Sequence, residues 1–183
     1  MKNLFILILL LSSFLTACME EQEPGLPAAT TEGLNTAGCY VDGKLWLARK
    51  ESYSFNELQK IDGGLAQLSG KRYFWMWMSD RINNNSITIF IKEKPLVNKV
   101  YDCNISTNPR PAWLEFKNYC SYSGSEGHFM TNENATGTVT FTRADSALGL
   151  YAGNFQFKGF DKRTGKQVTV TEGRFDYNQI NPE

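Results

Sequence analysis

From residue 137 onward apolar and polar side chains alternate with a period of two. Val139 and Phe141 sit between threonines, and Phe155 and Phe157 alternate with Gln156 and Lys158. Successive side chains of a strand point to opposite faces, so this pattern describes a sheet with one face in a core and the other in water, as antiparallel sheets allow. Short runs of the same kind recur after Ala37, divided by Gly, Asn or Asp: "CYVDGKLW", "RYFWMWMSD", "SITIFIKE", "AWLEFKNYCSYS", "KQVTVTEG" and "RFDYN". Asp42-Gly43 between two such runs predicts a two-residue hairpin. "SFNELQKI", Ser54 to Ile61, is the one stretch suited to a short helix, with Asn56 as its cap. The expected fold is therefore all-β and mainly antiparallel, a β-sandwich or an open barrel with at most one short helix.

The chain opens with "MKNLFILILLLSSFLTAC": one charge at Lys2, an apolar run from Leu4 to Leu11, then small and polar residues before a cysteine. This reads as a secretory signal over residues 1–17, too short and wrongly flanked for a spanning helix. Leu15-Thr16-Ala17-Cys18 resembles the lipobox of bacterial lipoproteins. That resemblance implies diacylglyceryl transfer to Cys18, cleavage before it, and acylation of the new amino terminus. Two or three acyl chains hold a protein on a membrane, since each buried methylene contributes about 0.8 kcal/mol. Residues 18–37, rich in Glu, Pro, Thr, Ala and Gly, predict a flexible tether, and residues 38–183 a single domain. Glu20, Glu21 and Glu23 resemble the export signal that places some lipoproteins of Bacteroidetes-type bacteria on the outer face of the outer membrane. The expected location is thus the outer membrane, at the cell surface or on the periplasmic face.

Nineteen basic and nineteen acidic residues leave no net charge, and no Lys/Arg block is present, so nucleic acid is not an expected partner. Three cysteines remain beside Cys18. A disulfide between Cys103 and Cys120, 17 positions apart around the turn-forming "STNPRP", is the favoured pairing, with Cys39 a small buried apolar residue and its pairing with either partner left open. There is no C-x-x-C, and His128 is the only histidine, so no metal site is expected; no cofactor motif is present either.

"GCYVDGKLW" and "GNFQFKGFDKRTGKQVTVTEGRFD" resemble the two ends of small, functionally uncharacterised lipoproteins of Bacteroidetes-type bacteria. The resemblance implies a β-rich exported domain and supplies no catalytic residues. Within it, Gly173 suits a bulge or turn and Phe175 the core, while Arg174 and Asp176 suit backbone capping, a salt bridge or a functional pair.

Catalytic patterns are sparse. His128 lies in "SGSEGHFM" near Ser123 and Ser125, which lack the spacing of a nucleophile elbow. Glu115, Glu126 and Asp145 are candidates for a carboxylate pair of a small hydrolase, because such pairs converge from distant parts of a chain. "DRINNNS" has the composition of a calcium loop, but Ile82 stands where an oxygen ligand is needed, so a hairpin turn with locally bonded Asn side chains is expected. Asn84, Asn104 and Asn134 match N-x-S/T, which carries little weight in a bacterial lipoprotein. Asp145-Ser146-Ala147 resembles the acceptor triplet of the general O-glycosylation system of Bacteroidetes-type bacteria, which makes Ser146 a candidate acceptor between two strands.

The run Tyr73 to Met78 is apolar at every position. In a hairpin with Ile87 to Ile91, the isoleucines face the core and Thr88, Phe90 and Lys92 face outward. If Trp77 lies opposite Thr88 and Trp75 opposite Phe90, then Tyr73, Trp75 and Trp77 form an outward aromatic stripe; a slip of one residue reverses every assignment. The outward stripe is favoured, because Phe74, Met76 and Met78 suit a soluble surface less well. Such rings stack on sugars or anchor a protein partner. The expectation is a binding or interaction module for a glycan or a protein rather than an enzyme. The alternatives are a structural envelope lipoprotein with this face covered and a small hydrolase.

Overall fold

The computed structural model describes residues 25–50, 59–104 and 117–182. Among these residues there are eleven strands and no helix. They are β1 (Thr36–Val41), β2 (Lys44–Leu47), β3 (Ile61–Leu68), β4 (Lys71–Asp80), β5 (Asn85–Ile91) and β6 (Val100–Cys103). There follow β7 (Tyr119–Gly124), β8 (Gly127–Met130), β9 (Gly137–Asp145), β10 (Leu150–Phe160) and β11 (Gln167–Asn178). Most of the expected helix falls in residues 51–58, outside the described residues, and its last residue, Ile61, opens β3.

All eleven strands belong to one antiparallel sheet, with the path β2-β1-β11-β10-β8-β7-β5-β4-β3 and a branch in which β9 pairs with both β10 and β6. The sheet curls into a half-barrel. The end strand β2 meets β4, next to the opposite end of the path, at one point: Arg49, just beyond β2, bridges in parallel to Asp80 at the end of β4. There the Arg49 N–H donates to Ser79 O at 2.9 Å and the Arg49 carbonyl accepts from Arg81 N at 3.0 Å. The Asp80 side chain strengthens this seam, accepting from Arg49 Nε at 3.1 Å and Nη2 at 2.6 Å. It also accepts from the backbone of Ile82 and from Asn83, closing the turn into β5. The turn of "DRINNNS" is thus held by local Asx bonds, and its one acidic side chain is occupied by a guanidinium.

Local chemistry explains the first hairpin. Asp42 (φ 49°) and Gly43 (φ 76°) join β1 to β2 with positive φ at both positions, the requirement of a type I′ turn. A bulge interrupts β11, where one extra residue lies opposite both β1 and β10. The left-handed residue of that bulge is Glu172 (φ 53°), not the adjacent glycine. Gly173 is needed for a different reason: a Cβ there would sit 2.5 Å from the Phe155 ring.

The core lies inside the curl. Phe141 of β9 is its hub, packed edge-on against Phe74 at 4.9 Å, Tyr101 at 5.8 Å and Phe175 at 5.7 Å. Edge-to-face packing aligns the positive ring edge with the negative ring face, adding about 0.5–1.5 kcal/mol per pair to the burial of the rings.

The second half of the expected tether is part of the fold. Asp176, 2% exposed, accepts hydrogen bonds from Thr30 Oγ1 (2.6 Å) and from the backbone N–H groups of Gly33 (2.7 Å), Glu32 (3.1 Å) and Leu34 (3.3 Å). Arg174 donates to Pro27 O and Arg143 to Thr31 O. Composition marks this segment as linker because its bonds are made by its backbone, on which side-chain pattern carries no information.

Candidate functional site

The aromatic face is set by β5. Its inward residues Ile87, Ile89 and Ile91 are fully buried, and a slip would put Lys92 into the core instead. β4 follows in the register that places Trp77 opposite Thr88, Trp75 opposite Phe90, and Met76 opposite Ile89. Phe74, Met76 and Met78 are 0% exposed as a result, while Tyr73, Trp75 and Trp77 lie half-buried on the outer face. The stripe extends across three strands. Phe90 is stacked between Tyr73 (5.5 Å) and Tyr119 of β7 (5.4 Å, planes 10° apart), with Trp75 directly across from Phe90. The Arg81 guanidinium covers one face of Trp77 at 4.6 Å, a cation–π contact. The outcome is an aromatic platform on which the Arg81 guanidinium covers Trp77, the hydroxyl-bearing Thr88 lies opposite Trp77 on one side, and Asp62 of β3 lies opposite it on the other.

The nucleophile and carboxylate candidates do not assemble. Ser123 Oγ lies 2.6 Å from His128 Nδ1 across the β7–β8 hairpin, on its exposed side. Among the described residues no carboxylate bonds the imidazole, so nothing orients it as a triad acid would. Glu126 pairs with Lys166 at 3.2 Å, and Asp145 caps the β9–β10 turn through the N–H groups of Ala147 and Leu148. These two acids flank opposite ends of β10, an 11-residue strand that spans roughly 35 Å, far beyond the separation of a glycosidase pair. Glu115 lies outside the described residues. Ser146 is exposed in the turn that Asp145 caps.

Cys39, Cys103 and Cys120 are buried thiols in the structure. Burial, and then the neighbouring Cys103 thiol, push the Cys120 thiol well up, while Cys103 Sγ itself donates to the Tyr101 carbonyl at 3.9 Å. Burial likewise raises Cys39. Arg174 and Asp176, read as a capping or functional pair, both bind the N-terminal segment and neither faces a cleft they share.

One polar constellation escapes the sequence reading. At the end of the half-barrel nearest the seam, a cleft of about 300 Å³ is bordered by Trp46, Tyr122 and Phe129 below and by Lys44, Asn85 and Lys166 above. Burial, the Cys39 thiol and the carboxylates of Glu126, Asp42 and Asp80 all push the Tyr122 phenol up, so it stays protonated. The signal for this site was present as polar residues closing otherwise apolar inward rows, but single polar residues at strand ends are ordinary.

No family model matches the chain, and neither a curated protein nor a solved structure matches it.

Proposed function

We propose that this protein is a lipid-anchored cell-envelope module that binds glycan chains on the outer aromatic face of β4, β5 and β7. The lipobox, the acidic residues after Cys18 and the likeness of both chain ends to small Bacteroidetes-type lipoproteins support anchoring through Cys18 in the outer membrane, at the surface or on the periplasmic side. The observation that carries the binding reading is the outward, half-buried row of Tyr73, Trp75 and Trp77 continued by the stack through Phe90 to Tyr119. Rings with polar tips beside a guanidinium and a threonine hydroxyl suit the apolar faces and hydroxyls of sugars, and a flat platform suits a chain better than a single residue. It needs no cofactor and no metal.

Two measurements test it. Acrylamide quenching of single-tryptophan variants reports access to Trp75 and Trp77, and a glycan array followed by titration identifies the ligand. Trp75→Ala should weaken that ligand about tenfold or more, the equivalent of 1.4 kcal/mol. Protection of both tryptophans from acrylamide would return this face to a structural role. Binding of an envelope protein without any glycan would replace the ligand class. For the anchor, Cys18→Ser should move the protein from the detergent phase to the aqueous phase on detergent partition.

A further inference from the structure

The inward rows of the half-barrel change character at the end beside the Arg49–Asp80 seam. Trp46, Met78, Ile87, Tyr122, Phe129 and Val168 form the last apolar layer, all of them buried except the half-buried Tyr122. Two residues further along each strand, on the same face, stand Lys44, Asp80, Asn85, Gly124, Gly127 and Lys166. The outer layer is thus polar at four positions, and on the β7–β8 hairpin it has no side chain at all. Gly124 and Gly127 pair with each other there, and at either one a Cβ would crowd a neighbour: the Tyr122 hydroxyl at 3.1 Å for Gly124, and Asp161 Oδ2 for Gly127. This absence of side chains leaves the cleft of about 300 Å³ open, at the small end of the range for ligand pockets, and the mouth of a barrel is a usual place for one.

The chemistry of the cleft selects a ligand class. Its charges are already matched: Asp80 by Arg49 at 2.6 Å, Glu126 by Lys166 at 3.2 Å, with Asp42 and Lys44 flanking the same tight turn. A charged ligand would therefore meet no net field of opposite sign. Asp80 is filled by its bonds to Arg49 and Asn83, and Asn85 Oδ1 accepts from the Trp46 indole N–H. Among the described residues, none bonds the Lys44 ammonium or the Tyr122 hydroxyl, both of which border the cleft. Free donors and acceptors of mixed kind above an aromatic floor match a small neutral ring carrying several hydroxyls.

We propose that the mouth of the half-barrel is a second binding site, for a single sugar residue whose apolar face rests on the Tyr122 ring and whose hydroxyls bond Lys44, the Tyr122 hydroxyl and the free amide group of Asn85. This site shares no residue with the aromatic platform and lies on the other face of the sheet, so it does not rest on that reading.

The test uses the chain from residue 18 with Cys18→Ser, which keeps every described residue. Its four tryptophans give four indole N–H signals in a ¹H–¹⁵N spectrum. Glucose, galactose, mannose and N-acetylglucosamine are each titrated to about 50 mM, a range that detects millimolar binding, with glycine as a zwitterionic control. At least one sugar should move the Trp46 indole and the amides of Lys44, Gly127 and Gln167, with the Trp75 and Trp77 indoles unmoved. Lys44→Ala, at an exposed position, and Tyr122→Phe, which removes one half-buried hydroxyl, should each weaken the effect about fivefold, the loss of one hydrogen bond. The proposal is overturned if no sugar moves these signals, if glycine moves them equally, or if neither variant weakens the response. Movement confined to Trp75 and Trp77 would support the platform and sink the mouth site, so the two readings fail separately.

Discussion

Replacing Asp176 with alanine should detach the N-terminal segment without unfolding the barrel. The carboxylate accepts four hydrogen bonds from residues 30–34, at 2.6 to 3.3 Å, and is 2% exposed. A hydrogen bond to a charged group contributes about 1.5–3 kcal/mol, so a simple sum would reach about 6 kcal/mol at least. The true loss is smaller, because a segment that peels away returns its N–H groups to water instead of leaving them buried and unpaired. Only the docking free energy is then lost, about 3 kcal/mol, which a domain with ordinary stability of about 5–15 kcal/mol survives. Urea unfolding should show a lower midpoint and a lower slope, since part of the buried surface is already exposed in the native variant. A glutamate-specific protease should cut after Glu32 in the variant and leave the parent intact there. A variant with the parental midpoint and a protected Glu32 would refute the clamp, and with it the conclusion that the tether ends before residue 27.

The seam gives a pH prediction. Burial alone would raise the Asp80 carboxyl, but the bonds from Arg49 and Asn83 outweigh it and hold it below its ordinary value. Its contribution is therefore present above the ordinary carboxylate range near pH 4 and is lost as pH falls through the lowered folded-state value. Arg49→Met leaves burial dominant, so the variant should be about 2 kcal/mol less stable at pH 7, a figure below that of a fully buried pair because Arg49 is 39% exposed. The gap between the two proteins should narrow toward pH 3, and a gap constant with pH would contradict the assignment. Gly127→Ala, which forces a Cβ onto Asp161 at φ 151°, should cost about 2–4 kcal/mol in thermal unfolding, against about 1 kcal/mol for Gly165→Ala, whose Cβ meets nothing within 4 Å. Because Cys103 and Cys120 are buried neighbours, protein recovered from an oxidising compartment should be 2 Da lighter before reduction than after it, and reduction should lower its stability by about 3 kcal/mol. An unchanged mass would leave the pair as structural thiols.

Much of the architecture was legible because it rests on local rules. Alternation in β9 and β10, the Asp42-Gly43 turn and the isoleucines of β5 each depend on a residue and its near neighbours, and they predict strands, hairpins and inward faces. The outward stripe was legible for the same reason, since once Ile87, Ile89 and Ile91 turn inward, hairpin pairing leaves Trp75 and Trp77 outside. The clamp of Asp176 on residues 30–34 was not legible, because a carboxylate meeting one threonine hydroxyl and backbone N–H groups 142 to 144 residues away leaves no hydrophobic pattern in either segment. Nor was the bulge residue, where strain settled on Glu172 because Phe155 needed the space at Gly173.

The sequence by itself determined that this chain is antiparallel β and which faces of its strands are wet. Those features follow from side-chain period, turn chemistry and short-range order. Only the tertiary structure decided that the sheet closes on an Arg49–Asp80 seam, that Glu126 and Asp145 are held apart by the length of β10, and that Lys44, Tyr122 and Gln167 share one cleft. Each of those depends on the order in which strands pair around the curl, and strand order is set by the sum of many weak long-range contacts that no local stretch of sequence encodes.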